Sequence, residues 1–180
     1  EAAQAECIMA KIGNLIAWIF APLGWVGDMA WKATVATFTG LIAKEEVVNT
    51  FGVLYNFSEV SEEGNEIWTL IARDFTPIAA YSFMIFNLLC APCFAAMGAI
   101  RREMNNKTWT VASIGYMCVF AYVSSLIVYQ LGGLLLGEVS FGFWTIIALA
   151  LLILILYLLF RPGYKPKSEA LNINQIQAVK

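Results

Sequence analysis

Apolar runs dominate the chain, and polar positions divide them into segments of the length a helix needs to cross a bilayer, roughly 20 residues. Residues Glu1 to Lys11 are mixed and mildly acidic. Ile12 to Trp25 is apolar but short, and Pro22 and Gly24 interrupt it, which predicts a tilted or broken helix ending near Pro22. Gly27 to Lys32 reads as a short turn containing Asp28. Ala33 to Tyr55 is again apolar, except for Lys44, Glu45 and Glu46 at its middle. Asn56 to Glu66 is polar and acidic, with a break at Gly64. Ile67 to Phe75 puts Ile67, Leu70, Ile71 and Phe75 on one side, the pattern of a short amphipathic helix at the membrane interface. Pro77 then opens the clearest span, Ile78 to Ile100, followed by Trp109 to Leu136 and the charge-free Phe143 to Phe160, which reads as a lipid-facing helix. The pattern predicts an all-α, polytopic membrane bundle with a broken or kinked helix at the charged cluster.

Composition agrees with that reading. The chain is 60% hydrophobic and only 13% charged, with a mean hydropathy of +0.71, whereas soluble domains are about a quarter charged. A net charge of −2 and the lack of a basic, aromatic-interleaved patch exclude nucleic acid as a partner and leave membrane lipid. The absence of histidine removes Ser-His and Cys-His catalysis and the common zinc ligand sets. Four cysteines, three of them in predicted spans, do not form a secreted disulfide framework. No Walker A pattern occurs, so no nucleotide chemistry is assigned. The basic loop at Arg101, Arg102 and Lys107 and the tail at Arg161, Lys165 and Lys167 are expected on the cytoplasmic side, two spans apart. Residues 1–160 are read as the membrane domain and 161–180 as a cytoplasmic tail. The chain opens on Glu1, not Met, and without a signal-peptide pattern, as a piece of something longer would.

Two groups of residues carry candidate chemistry. Lys44, Glu45 and Glu46 place charge where hydrocarbon penalises it by several kcal/mol, roughly, unless a cavity or partner receives it. Successive helix positions lie about 100° apart, so the three cannot share one groove on a regular helix. Glu45 is the leading cation ligand, and Lys44 is expected to neutralise it when the site is empty. Gly40 and Gly52 permit a break or close packing at the ends of this stretch. The second group is Cys90-Ala-Pro-Cys93. On a continuous helix Cys90 and Cys93 share a face, Met97 extends it and Asn87 lies at its edge. Pro92 leaves the Leu88 carbonyl without its helical donor. Sulfur with oxygen suits a transition metal. The same cysteines also fit small apolar residues packed at a kink, or a redox pair. Cys118 reads as packing, and Tyr129 and Gln130 as interface anchors or helix–helix hydrogen bonds.

At these residues the chain resembles the membrane region of the bacterial FeoB ferrous-iron transporters. The likeness rests on FAPLGWVGDMAWKATVATFTGLIAKEEVVNTFGVLY, on FTPIAAYSFMIFNLLCAPCFAAMGAIRREM and on the span from Trp109 to Gln130. Gly40 to Glu45 is similar to that family's second Gate motif, and Cys93 matches the cysteine of its P-C-x-A segment. The resemblance implies the C-terminal Gate half of a permease for Fe(2+), which passes as cargo and not as a bound cofactor. It implicates Cys93 in the iron path; the buried charge and the sulfur stripe add Glu45 as a second metal ligand, assisted by Cys90, Glu46 and Met97, with Gly40, Lys44, Asn87 and Pro92 shaping the gate. Glu46 stands where many members have an apolar residue, and Cys90 adds a second thiol. It further implies a GTP-binding domain and a first Gate half as partners; a second copy of the chain is another candidate partner. The rival readings are an intramembrane thiol oxidoreductase using Cys90 and Cys93, and a non-transporting assembly subunit.

Overall fold

The computed structural model describes residues 8–55 and 68–161. Among these residues are eight α-helices and one 3-10 turn, with no strand. In chain order they are α1 (Ile8–Phe20), the 3-10 turn Ala21–Leu23, α2 (Asp28–Thr39), α3 (Glu46–Leu54), α4 (Trp68–Asp74), α5 (Pro77–Leu89), α6 (Phe94–Met104), α7 (Lys107–Leu136) and α8 (Phe143–Phe160). Three stretches are long and apolar enough to cross a membrane: Pro77–Met104, counted across the α5–α6 break, α7 and α8. The 30 residues of α7 extend about 45 Å, more than the hydrocarbon core of a bilayer. The acidic loop expected over Asn56 to Glu66, the N-terminal residues and the tail beyond Arg161 lie outside the described residues.

The helix boundaries follow local chemistry. Thr76 caps α5, its hydroxyl accepting from the Ala79 amide at 3.3 Å, and Pro77 occupies the first turn, where no amide is needed. Asn106 caps α7 by accepting from the Thr108 and Trp109 amides. The turn expected over Gly27 to Lys32 is shorter than the pattern suggested. It closes by Gly27, and α2 already begins at Asp28. The expected helix end at Pro22 is present, with Gly24 in the left-handed conformation at φ 86°. A Cβ on Gly24 would lie 2.0 Å from the Tyr129 ring, so both backbone and packing require glycine there.

An aromatic cluster forms the core beside this turn. Phe20 stacks on Trp25 at 4.6 Å between ring centroids, and Trp25 meets Phe86 edge-on at 5.5 Å. Phe83 joins Phe51 and Phe75 to the cluster. The outer surface is apolar as well: Leu88, Leu135 and Phe160 are each at least 80% exposed. In α8 only Thr145 and Ala148 are buried. This is the surface of a helix bundle whose solvent is lipid.

At the end of α1 the Pro22 and Leu23 carbonyls are buried in this bundle and the Ile19 carbonyl lies at its surface. Side chains of other helices supply the donors. Tyr122 donates to Ile19 O at 2.7 Å, Gln130 Nε2 to Pro22 O at 2.8 Å and Ser82 to Leu23 O at 2.9 Å. The hydroxyls of Ser82 and Ser125 are themselves 2.7 Å apart, and Thr145 donates to Gln130 Oε1 at 3.2 Å. Gln130 thus forms helix–helix hydrogen bonds that tie the α1 end, α7 and α8 together.

Candidate functional site

The site is built from two interruptions that face each other. The first separates α2 from α3 over Gly40–Glu45. Gly40 permits it, because a Cβ there would meet the Val47 side chain at 2.7 Å. Across the break the hydroxyls of Thr39 and Thr50 are 2.7 Å apart, holding α2 and α3 as one bent unit. The second interruption separates α5 from α6. Cys90 is extended, with φ −66° and ψ 176°, and ends α5. Cys93, with φ −59° and ψ 159°, occupies the position before α6. Pro92 explains the placement. It lacks an amide to donate and biases Ala91 away from the helical region.

This geometry corrects one expectation. Cys90 and Cys93 do not share a helical face with Met97, because the helix between them is interrupted outright. Cys90 is buried and faces the α2–α3 turn, whereas Cys93 and Met97 are half-buried. All three described cysteines, Cys90, Cys93 and Cys118, are free thiols.

The two interruptions are joined by backbone and by charge. The Phe94 amide donates to Leu41 O at 2.9 Å, linking the start of α6 to the α2–α3 turn. Lys44 reaches from that turn into the α5–α6 break. Its Nζ donates to Asn87 O at 2.9 Å, to Cys90 Sγ at 3.3 Å and to Ala91 O at 3.3 Å. The acceptors exist because the helix stops: a regular ladder would have used these carbonyls. Lys44 was expected to neutralise Glu45; it serves the opposite break instead. Glu45 and Glu46 are exposed, and neither forms an ion pair with a described residue.

Asn87 anchors the far side. Its Nδ2 donates to Phe83 O at 3.0 Å and to Thr37 Oγ1 at 3.3 Å, which ties α5 to α2. Its Oδ1 is buried and has no hydrogen-bond partner among the described residues. The first of those contacts fixes the amide orientation, since the reverse would oppose two oxygens. Sequence reasoning singled out Asn87 as an edge residue but did not foresee that its backbone carbonyl, not its side chain, would meet Lys44. Thr37, one of its side-chain partners, was missed; a hydroxyl on an apolar helix was the only available signal.

No group of three or more acidic or cysteine side chains suited to holding a metal occurs among the described residues. The arrangement therefore does not form a closed carboxylate or thiolate cage. It can satisfy one cation through carbonyl oxygens and a thiol, and it presents carboxylates at its exposed edge.

A charged cluster outside the predicted spans braces the same unit. Lys32 Nζ is 2.9 Å from Asp74 Oδ2, Tyr55 donates to the same oxygen at 2.5 Å, and the Lys32 ammonium lies 4.3 Å from the centre of the Tyr55 ring. Burial alone would raise the Asp74 carboxyl, but the Tyr55 hydroxyl and Lys32 outweigh it and hold Asp74 below the ordinary carboxylate range.

Comparison with known proteins agrees with this architecture. The Gate family, described as nucleoside recognition, matches residues 3–107. The Fe(2+) transporter FeoB of Methanocaldococcus jannaschii is 36% identical over 131 residues, covering 73% of this chain and 18% of the relative. The Fe(2+) transporter FeoB of Staphylococcus aureus strain COL is 34% identical over 129 residues, covering 72% and 18%. That of Campylobacter jejuni is 31% identical over 138 residues, covering 76% and 22%. The chain thus spans roughly a fifth of the length of these curated relatives. No solved structure matches it. A family match over more than half of the chain, together with relatives named FeoB at 31–36% identity, shows that the chain belongs to the Gate family in its FeoB-type form.

Proposed function

We propose that this chain is the permease segment of a ferrous-iron transporter, the C-terminal Gate half, and that it acts in the bacterial cytoplasmic membrane. The observation that carries this reading is the pair of helix breaks joined at Lys44, because non-helical backbone at membrane depth is tolerated where it lines a path or is buried in protein. The relatives named as Fe(2+) transporters support iron as the cargo. Residues 1–160 form the membrane domain and 161–180 a cytoplasmic tail, with the Arg101, Arg102 and Lys107 loop on the same side. GTP hydrolysis belongs to a domain elsewhere in the full-length protein, and the first Gate half completes the path.

In this reading Fe(2+) sheds part of its water and passes between sulfur and carboxylate groups. Cys93 and Glu45 are its principal ligands, at the edges of the two breaks, with Cys90, Glu46 and Met97 assisting. Thiol and carboxylate together favour a transition metal over sodium or potassium. Transient, incomplete ligation suits a permease, since a closed cage would hold the ion too tightly to release it.

The test is iron uptake by the full-length protein. Cys93→Ser and Glu45→Ala should each lower uptake by about tenfold at matched membrane abundance, the scale of losing one good ligand interaction. Unchanged uptake in both variants would reject these roles.

A further inference from the structure

Lys44 is the one described side chain that makes three contacts of this kind: an ammonium held by two main-chain carbonyls and a thiol, none of them a carboxylate. Neutral oxygen and sulfur around a cation are the components of a selective ion site. We propose that the Asn87 O, Ala91 O and Cys90 Sγ cradle is itself a binding site for a partly dehydrated divalent transition-metal ion, and that Lys44 is a tethered cation that occupies it until the ion displaces it. This rests on the permease reading and deepens it by naming what closes the path between ions.

Four observations support it. Withdrawal of the ammonium leaves Asn87 O and Ala91 O with only the long contacts of the Cys90 thiol, at 3.6 and 3.8 Å, so an incoming cation gains two under-satisfied oxygens there. Asn87 brings a second oxygen, Oδ1, that is buried and unpartnered among the described residues although its own amide nitrogen is fully engaged. This buried acceptor belongs to the residue whose main-chain oxygen holds the ammonium, and the lysine does not use it. Lys44 lies on the non-helical turn between α2 and α3, and its four-carbon stem has the rotamer freedom to withdraw. Glu45 and Glu46, adjacent in the chain and free of ion pairs among the described residues, offer the withdrawn ammonium a new partner.

The exchange requires the site to contract. Oxygen and sulfur bind a first-row divalent ion at about 2.1 and 2.3 Å, while the ammonium stands 2.9–3.3 Å from the same atoms. Asn87 O is held in α5, so the ion must move toward it while Cys90 and Ala91, outside regular helix, close in. Cys90 loses its proton to water as the metal–sulfur bond forms. Sodium and potassium gain little from the sulfur, which makes the displacement selective.

The experiment uses Co(II) as the probe on the full-length protein, with binding read from the thiolate-to-cobalt absorption. Lys44→Met removes the competing charge at similar length and should tighten Co(II) binding by about tenfold or more. The gain should vanish in the Lys44→Met/Cys90→Ser double variant. Equal affinity in Lys44→Met and wild type, or a gain that survives loss of Cys90, overturns the proposal. Where Lys44→Met does not fold, the wild type decides: saturating Co(II) should raise labelling of Lys44 by an amine-reactive reagent, and unchanged labelling overturns it. Loss of uptake in Cys93→Ser with no coupling between Lys44 and Co(II) removes this inference alone and leaves the permease reading standing.

Discussion

The chain interrupts its helices in two different ways. At the end of α1, the carbonyls of Ile19, Pro22 and Leu23 receive hydrogen bonds from Tyr122, Gln130 and Ser82. These donors are neutral and sit on the regular helices α5 and α7. At the α5–α6 break, the carbonyls of Asn87 and Ala91 receive theirs from Lys44, a charged and flexible side chain on another interruption. The physical problem is the same: backbone oxygen left over where a helix stops. The two solutions differ in their donors: short neutral side chains on regular helices at one break, a long charged side chain on a turn at the other. Under the proposal above, the first is a structural break and the second a functional one.

That contrast can be tested from its strongest consequence downward. Gly24→Ala should be the most damaging change at the α1 end, because its Cβ would fall within the Tyr129 ring and the backbone is left-handed. A loss of about 3 kcal/mol or more is expected from overpacking with backbone strain, seen as a sharp fall in folded protein during thermal unfolding in detergent. Gln130→Leu and Ser82→Ala leave Pro22 O or Leu23 O unpaired and should each cost about 1–3 kcal/mol. If the α1 break is structural, uptake per folded molecule should stay at the wild-type level in both; a specific loss of uptake at normal stability would erase the distinction. At the other break Lys44→Met should cost a similar 1–3 kcal/mol, roughly, but here the cost should shrink when Co(II) is added, while no metal should rescue Gln130→Leu.

The smallest effect is expected at the brace. Asp74→Asn should lower stability at neutral pH by on the order of 1 kcal/mol, as for a partly exposed ion pair. The sign follows from the depressed Asp74 carboxyl. Its contribution is complete above the ordinary carboxylate value of 3.8 and is lost as pH falls through the lower folded-state value. Wild type and Asp74→Asn should therefore converge in acid, and unfolding followed at neutral and at acidic pH measures that convergence. A gap that persists in acid would show that packing, not ionisation, accounts for the difference.

Much of the scaffold was legible in the sequence. The runs opening at Pro77, Trp109 and Phe143 coincide with the three spans, since twenty apolar residues have few other uses. Pro22 with Gly24 marked a helix end, because one cannot donate and the other tolerates the left-handed cap. Asp28, directly after Gly27, was assigned to a turn, yet it is where α2 starts. The site was less legible for a different reason. Whether Pro92 bends or stops a helix depends on who receives the freed carbonyls, and that donor, Lys44, is 43 residues away from its first acceptor in the chain. Helical periodicity contains no information about such a partner. It therefore aligned Cys90, Cys93 and Met97 on a stripe that the break removes. The Ser82–Ser125 contact was equally silent, as small hydroxyls are common in apolar helices and only tertiary packing pairs them.

One backbone bond closes the picture, the link from the Phe94 amide to Leu41 O. It is a direct main-chain tie between the α2–α3 turn and the first residue of α6, so the two interruptions share a backbone contact as well as the Lys44 side chain.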